Sequence, residues 1–362
     1  MSRFTIDPNE PVQFSNILAH LHNPPPPPRK VSPPPDLFPE EEKKEIPYVP
    51  TDDSDSDIEE NGFRIVTTMR WDPVLLEDHR DWHSTSSAEP RSPFLLLPYH
   101  LERLIRSAVG FGWNDVASQL STPEFSADFI ARLEDVVKDV VKNGSPEAKG
   151  EKCYKIRCVL RRNGNLTIHL RPVGPRPFDL LGAPFMTPAY IVPLTPNTLM
   201  TWPTAYAPIL DVFLDTDPTT PSLFTRHKST NRDVYDEARD RVGIESYNSP
   251  EEVLLINHDS DVVDGSMRNI CIWRDGSWVT PPLASGCLDG VVRRWMLATG
   301  KVKERRIRSD ELINGEWVLT SNSVEGCSFG KFVADREEHR NNNLRIRRLH
   351  PKPRPLTSSR PF

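Results

Sequence analysis

The spacing of hydrophobic residues divides the chain into a polar beginning, two patterned blocks and a polar end. Residues 1–61 contain the proline run from Pro24 to Pro28 and an acidic cluster from Asp52 to Glu60, with few apolar side chains between them. Proline fixes φ and removes a backbone donor, and a charged segment poor in apolar residues cannot bury enough surface to fold. We therefore predict a disordered, proline-rich and acidic tail over 1–61.

The first patterned block, 62–190, mixes strand and helix signals. The β-rich residues 63–70 predict a strand, which ends before Pro73 because a residue that precedes proline avoids the helical region. Apolar residues recur at helical spacing over 100–113 and over 126–142, which predicts two amphipathic helices.

A hairpin and a proline-rich junction complete this block. Two short strands are predicted over 154–161 and 166–171, because they flank Arg162-Asn163-Gly164-Asn165, a turn sequence typical of β-hairpins. Prolines then crowd the stretch 172–203, which favours a domain junction there. The polar stretch 76–93 is predicted to be a loop insertion.

The second block, 191–335, repeats the mixture of strands and helices. Short apolar runs predict four strands and helical spacing predicts two helices, over 210–214, 252–257, 269–274 and 317–320 for the strands and 232–242 and 290–299 for the helices. Two blocks of this kind predict an α/β (mixed α+β) protein of two domains, 62–190 and 191–335.

The two ends of the chain each have two interpretations. No acidic residue follows Glu338, whereas seven arginines and lysines do. A basic end of this kind is typical of a solvated, frayed terminus or of contact with an anionic partner, and we predict a flexible tail over 336–362. The proline run from Pro24 to Pro28 is either a ligand for SH3 or WW domains or a solubilising segment.

Composition narrows the classes of function. The formal net charge is −6, from 45 basic and 51 acidic residues, so no global positive field favours nucleic acid. No apolar run approaches the roughly 20 residues that span a bilayer, and the N-terminal residues lack an apolar signal segment. The five cysteines form no CxxC pair, so neither a metal site nor a disulfide framework is expected. We expect a cytoplasmic protein that acts on a small molecule, without nucleic-acid or membrane partners.

Four segments carry residues suited to binding and chemistry around a phosphate group. Lys228 stands between a short apolar run and a predicted helix, where partial desolvation lowers the pKa of an amine and makes it a nucleophile. Asp264 lies between an apolar strand and a glycine turn, where a carboxylate can face a buried cation. The stretch 280–293 leads a glycine-bearing loop into a helix start, whose backbone N–H groups bind phosphate. The turn 319–326 is rich in hydroxyl groups that donate to the same anion.

Taken in order, these segments resemble the class IV aminotransferase family over about 62–335. The HxxRL motif of the family matches residues 100–104, and its EG[AS]xxN motif matches 264–269 with aspartate in place of glutamate. Its GxxR helix start matches 290–293, and its late hydroxyl turn matches Asn322-Ser323. The resemblance implies the two-domain fold type IV of enzymes that bind pyridoxal 5′-phosphate.

The resemblance also implies a role for each matched residue. Lys228 is expected to bond the cofactor aldehyde, and Asp264 is expected to pair with the pyridine nitrogen. The cofactor phosphate is expected to be held by one arginine, two helix amides and the late turn, namely Arg103, Val291, Val292, Asn322 and Ser323. The carboxylates of the substrate have two candidate partners, Arg70 and Arg171.

Within the family, the stretches 70–73, 228–239 and 321–326 resemble fungal-type aminodeoxychorismate lyases. This resemblance predicts conversion of 4-amino-4-deoxychorismate to 4-aminobenzoate, a folate precursor, and pyruvate. A transaminase of branched-chain or D-amino acids and an inactive fold type IV interaction protein are the alternatives. Relatives commonly build the site near a dimer interface, although not all are dimers, so a homodimer is one expected arrangement.

Two departures from the family pattern bear on the site. Branched-chain enzymes bond the cofactor O3′ with a tyrosine five residues after the lysine, and that position is Asp233 here. Arg268 is close in sequence to Asp264, so a competing ion pair between them is an alternative to the pairing with the pyridine nitrogen.

Overall fold

A computed structural model describes residues 62–76, 92–143, 153–174, 181 and 209–337. Two of the predictions, the tail over 1–61 with its proline run and almost all of the tail over 336–362, fall outside these ranges. Most of the predicted loop insertion at 76–93 and of the proline-rich junction at 172–203 does so too.

In the first block, the described residues form a three-stranded antiparallel sheet and three α-helices. The strands, in sheet order, are β1 (Ile65–Trp71), β2 (Cys153–Leu160) and β3 (Leu166–Val173). The helices are α1 (Leu97–Gly110), α2 (Asn114–Leu120) and α3 (Pro123–Asn143). The hairpin between β2 and β3 is confirmed, and Gly164 adopts the positive φ of 85° that its turn requires.

The helices of this block differ from the prediction in their number and in their bounds. Helix α1 ends at Gly110 rather than at 113, and α3 begins at Pro123 rather than at 126. Helix α1 begins three residues earlier than predicted, because Pro98 near its start fits the first helical turn. Helix α2 was not predicted, since its seven residues are too few to establish a helical period.

The two faces of the small sheet have different characters. One face packs on the helices through apolar residues such as Ile65, Ile156 and Leu104. The opposite face carries basic side chains, including Arg70, Lys155 and Arg157, which alternate with the core residues along β1 and β2.

The second block is an eight-stranded mixed sheet in the order β6-β5-β4-β11-β10-β7-β8-β9. Its strands are β4 (Leu210–Pro218), β5 (Glu251–Ile256), β6 (Val262–Gly265), β7 (Asn269–Arg274), β8 (Ser277–Thr280), β9 (Val302–Glu304), β10 (Trp317–Asn322) and β11 (Gly326–Phe332). Its helices are α4 (Leu223–Arg226), α5 (Asp233–Arg241) and α6 (Val291–Ala298), and short 3-10 helices cover Leu283–Ser285 and Ser309–Glu311, with a third at Pro73–Leu76 in the first block. The four predicted strands and both predicted helices are confirmed.

The blocks meet along the free edge of β1 and the side of α1. The segment after α4 pairs with β1, where Val66 N donates to Lys228 O at 2.9 Å and Ile65 forms an antiparallel bridge with Ser229. Arg70 N donates to Ser323 O at 3.0 Å at the other end of the strand. These backbone contacts bring parts of both blocks to one seam.

Two general properties of the described residues complete the picture. None of their helices is long and apolar enough to cross a membrane. All five cysteines are buried, and none forms a disulfide.

Candidate active site

Lys228 lies at the seam between the two blocks. Helix α4 ends at Arg226, and the extended backbone of His227 leads Lys228 along the edge of β1. The residue is partly buried, and within the described part of the chain its amine has no hydrogen-bond or ion-pair partner. Burial holds the pKa of this amine well below its usual range, and four cations lower it further: Arg232, Arg103, Arg157 and Lys155. A lowered pKa makes the amine a better nucleophile near neutral pH, because it raises the fraction of the amine that is unprotonated.

Arg103 is a buried cation. It is 5% exposed, and none of the described carboxylates forms an ion pair with it. Its Nη2 donates to Thr67 Oγ1 at 2.6 Å, while its buried Nε has no partner among the described residues. Burial, with a contribution from Arg294, lowers the pKa of Arg103 to about 9, so the side chain stays charged at neutral pH. A buried charge of this kind is costly without an anion, which points to an anionic ligand.

Thr67 and His100 fix the direction of the Arg103 side chain. Thr67 Oγ1 accepts from Arg103 and lies 2.7 Å from His100 Nδ1, so its hydroxyl proton is directed to that nitrogen. Burial, reinforced by Arg103, holds the pKa of His100 well below its usual range, which keeps the imidazole neutral and able to accept.

The start of helix α6 supplies two unused backbone donors. The amides of Val291 and Val292 belong to the first turn, and within the described residues neither finds an acceptor. The ion pairs of Glu102 with Arg294 and of Arg106 with Asp289 hold α1 against this helix start. Arg294 and Asp289, which adjoin this helix start, both contribute to the electrostatics of the Arg103 guanidinium, so the arginine lies near a helix start that can bind phosphate.

Asp264 is a buried carboxylate on β6. Its oxygens accept from the backbone of Gly265 and Leu288 at 3.0 and 2.9 Å and from Asn269 Nδ2 at 3.0 Å. Burial raises the pKa of Asp264 to about 7, and these hydrogen bonds limit the rise. None of the described cations lies within ion-pair distance of Asp264. Its carboxylate is therefore available to pair with a protonated ring nitrogen.

Arg268 does not compete for Asp264. Its guanidinium pairs with Glu252 at 3.1 Å and with Glu325 at 2.6 Å. The alternative of an ion pair between Arg268 and Asp264 is therefore wrong, because two other carboxylates neutralise the arginine.

The turn after β10 uses its side chains for internal contacts. Asn322 Oδ1 accepts from the amides of Val324 and Glu325, and its Nδ2 donates to Glu325 Oε2. Ser323 Oγ donates to Thr68 O at 2.6 Å, across the seam. Both residues thus shape the turn and dock it on β1, and their direct contact with a phosphate stays a prediction.

The two candidates for the substrate carboxylates are in unequal positions. Arg70 is 1% exposed and commits its guanidinium to Asp72, to Gly174 O and to Val324 O. Arg171 is exposed on β3, opposite Lys155. Arg70 is thus a structural tie between β1 and the 322–325 turn, whereas Arg171 keeps access to solvent.

Three cations near Lys228 were not predicted. Lys155 and Arg157 on β2 and Arg232 at the start of α5 all lower the pKa of the Lys228 amine. Arg232 Nη2 donates to Ser266 O at 3.0 Å, beside the glycine turn that follows Asp264. The position of Arg232 four residues after Lys228 was a signal that the sequence offered. No local pattern in β2 indicated that Lys155 or Arg157 would lie near the lysine.

The residues present fit pyridoxal 5′-phosphate. Lys228 offers an amine of lowered pKa for an aldehyde, and Arg103 with the amides of Val291 and Val292 offers a phosphate site. Asp264 offers a buried carboxylate for a ring cation. Among the described residues there is no group of three His, Cys, Asp or Glu side chains that could hold a metal ion.

Known proteins resemble this chain over most of its length. The model of the class IV amino-transferase family matches residues 84–330. An aminodeoxychorismate lyase from Saccharomyces cerevisiae is 30% identical over 245 residues, which cover 57% of this chain and 62% of that protein. The chain thus spans less than two thirds of that relative. A Schizosaccharomyces pombe protein assigned as an aminodeoxychorismate lyase is 27% identical over 246 residues, 67% of this chain and 86% of the relative.

Solved structures resemble it more distantly. A Mesorhizobium loti protein assigned as an amino-acid aminotransferase has 23% sequence identity and a TM-score of 0.49, over 75% of this chain and 100% of that one.

Proposed function

The chain belongs to the class IV aminotransferase family, and on that premise we propose that it is a pyridoxal-phosphate-dependent aminodeoxychorismate lyase. The reaction converts 4-amino-4-deoxychorismate to 4-aminobenzoate and pyruvate, a step of folate precursor synthesis. The observation that carries the proposal is the position of Lys228 at the seam, where its backbone pairs with β1 and Arg103 contributes to the lowered pKa of its amine.

Each half of the molecule would hold part of the cofactor. Lys228 Nζ would bond its aldehyde, and Arg103 of the first block with the amides of Val291 and Val292 of the second would bind its phosphate. Asp264 would accept a hydrogen bond from the pyridine N–H and so keep the ring protonated and charged. When bound, the cofactor supplies an electron sink for the carbon that bears the substrate amino group.

Proton movements in the reaction fall to Lys228. Its amine takes the proton from the amino-bearing ring carbon, the bond between the ring and the enolpyruvyl oxygen breaks, and the ring becomes aromatic. The same nitrogen can then return the proton to the departing enolpyruvyl group, which leaves as pyruvate. A lowered amine pKa suits this role, because a protonated lysine could not remove a proton.

The test is product formation from the substrate itself. Enzymatically prepared aminodeoxychorismate is incubated with the wild type, with Lys228→Ala and with Lys138→Ala, whose side chain is exposed on α3. We expect 4-aminobenzoate and pyruvate in equal amounts from the wild type and from Lys138→Ala, and a loss of about a thousandfold or more in Lys228→Ala.

The transaminase alternative predicts a different result. Amino acids would convert the bound cofactor to its amine form, and aminodeoxychorismate would yield no pyruvate. Robust amino-group transfer without any lyase turnover would replace the lyase by a transaminase.

A further inference from the structure

The segment that carries Lys228 pairs with the small sheet over a very short length. Among the described residues, its pairing with the edge of β1 rests on an isolated bridge between Ile65 and Ser229 and on two backbone hydrogen bonds of 2.9 Å. One further hydrogen bond, also of 2.9 Å, joins Arg64 N to the Thr230 hydroxyl. A pairing this short specifies its register weakly, so we expect side chains of the segment to help fix it.

The bridge decides on which side of the sheet each side chain lies. Ile65 belongs to the core under the helices, and residues directly opposite in adjacent strands project to one side, so Ser229 projects toward the helices. Side chains alternate along an extended chain, which places His227 on the helix side and Lys228 on the other side. A slip by one residue would exchange the two and turn the lysine toward α1.

The imidazole of His227 fills a space at the C-terminal end of α1. A Cβ at Gly110 would overlap the ring, with Nε2 as the nearest atom and with Cδ2 and Cε1 each 2.9 Å away. The ring of Phe111 lies beside the imidazole, with centroids 5.4 Å apart. The absence of a side chain at Gly110 therefore creates the space in which the His227 ring sits.

We propose that His227 is a positioning residue for Lys228, because its ring, seated over Gly110, fixes the register in which the lysine faces the candidate site. The inference rests on the proposed function and deepens it, since it concerns how the amine that bonds the cofactor is directed. The lysine cannot supply this register itself, because its four-carbon stem is flexible, whereas the imidazole is rigid and fits a defined space.

The first arm of the test measures how readily Lys228 bonds the cofactor. Cofactor-free protein is mixed with pyridoxal 5′-phosphate at several pH values, the rate of bonding is followed by absorbance, and the reduced adduct is mapped by mass spectrometry. In His227→Ala we expect the rate at pH 7 to fall about tenfold and its pH dependence to move toward that of an ordinary lysine.

The expected shift has a physical reason. In the native register, burial and four cations lower the pKa of the Lys228 amine, namely Arg232, Arg103, Arg157 and Lys155. An amine that leaves these surroundings regains a higher pKa, and each unit of rise lowers its unprotonated fraction about tenfold near neutral pH. A folded His227→Ala protein with the rate and the pH dependence of the wild type would overturn the proposal.

The second arm separates the positioning role from general packing. Gly110→Ala displaces the ring and is expected to slow bonding about as much as His227→Ala. In the double variant the added methyl group enters space that the ring has left, so its loss should not exceed that of Gly110→Ala alone. Losses that multiply would show that the two residues act independently. His258→Ala, at an exposed histidine between β5 and β6, is the matched control.

Stability is measured in parallel by thermal unfolding. Variants with a lowered Tm but with the wild-type rate and pH dependence of bonding would show that His227 only packs, and would contradict the positioning role. Should His227→Ala fail to fold, His227→Asn decides by the same readouts, because its shorter planar side chain leaves the space over Gly110 empty.

The outcomes for the positioning role and for the proposed function are distinct. Bonding at Lys228 that is slowed in His227→Ala, without lyase products from the wild type, would support the positioning role and refute the reaction. Lyase products together with unchanged bonding in both single variants would do the reverse. A wild type that bonds no cofactor at Lys228 would contradict both.

Discussion

Burial and neighbouring cations lower the pKa of the Lys228 amine, so a charge on this residue is costly in the cofactor-free protein. Below the usual lysine pKa of about 10.4 the unfolded chain takes up a proton that the native chain does not, so stability falls as the pH falls through that range. A reactive amine and a less stable apoprotein are two consequences of one environment.

Replacing this amine should therefore stabilise the cofactor-free protein. Lys228→Met is expected to raise the free energy of unfolding by about 1–3 kcal/mol at pH 7, and the gain should vanish above about pH 10.4. Urea unfolding at several pH values measures it, with Lys138→Met on α3 as the exposed control. A loss of stability in Lys228→Met at pH 7 would show that the amine is charged and paired in the native state.

Asp264 has the opposite pH dependence. Its pKa is raised to about 7, so the native apoprotein holds a proton that the unfolded chain releases near pH 4, and stability declines as the pH rises between these values. Asp264→Asn should remove this decline in the free energy of unfolding, which amounts to a few kcal/mol at most. The same substitution should reduce turnover on the order of a hundredfold or more, because the ring cation loses its counter-charge.

The exposed Asp128→Asn is the control for both measurements. Unchanged turnover in a folded Asp264→Asn protein would exclude the pairing with the ring nitrogen.

Single residues of the site were predictable where a local motif carried them. Lys228, Asp264 and Arg103 each lie in a short pattern whose spacing is independent of the rest of the fold. Lys155 and Arg157 could not be predicted in the same way. The face of the sheet on which they lie is brought near Lys228 only by the register of β2 with β1. Register is a tertiary property, and a one-residue slip would turn both cations away.

At the scale of elements, the start of α6 depends on close packing around Gly290. A Cβ at this glycine would lie 1.8 Å from Asn269 Oδ1, while Asn269 Nδ2 donates to Asp264 and to Leu288 O. The phosphate amides and the ring-nitrogen carboxylate are therefore held by one side chain.

Substitution at this glycine should disturb both ends of the cofactor site. Gly290→Ala is expected to cost about 1–3 kcal/mol of stability through overpacking and to weaken cofactor binding, measured by urea unfolding and by fluorescence titration. Gly174→Ala is the control, because a Cβ there meets nothing within 4 Å. Equal cofactor affinity in Gly290→Ala and the wild type would mean that the helix start does not bind the phosphate.

Helices and strands were predicted correctly where the patterned segment was long, and they were missed where it was short. The strands β6, β8 and β9 have four, four and three residues, too few to show alternation. β11 reads Gly326-Cys-Ser-Phe-Gly-Lys-Phe332, and its two glycines mask a strand that pairing with β10 and β4 stabilises. Tertiary pairing, absent from the local pattern, defines these strands.

At the scale of the whole molecule, the predicted α/β class and the fold type IV architecture are confirmed. The predicted domain boundaries stay predictions. The two blocks share the candidate site, since Arg103 belongs to one and Lys228 to the other, and the ion pair of Glu102 with Arg294 joins them beside it.

Removing the ion pair between Glu102 and Arg294 should lower the affinity for the cofactor but not the stability of the fold. Glu102→Gln is expected to lower cofactor affinity by about threefold to tenfold and to change the Tm of the cofactor-free protein little, since a partly exposed ion pair contributes little by itself. Glu134→Gln, which removes a carboxylate from a surface pair on α3, is the matched control. The same affinity in both variants would show that the joint does not affect the site.

The identity of the residue that bonds the cofactor tests the proposed site most directly. Wild-type protein is saturated with pyridoxal 5′-phosphate, reduced with borohydride, digested, and its peptides are mapped by mass spectrometry. We expect a single reduced adduct on Lys228 and no adduct at this position in Lys228→Ala. An adduct on another lysine, or none in a protein that absorbs like a cofactor-bound enzyme, would contradict it.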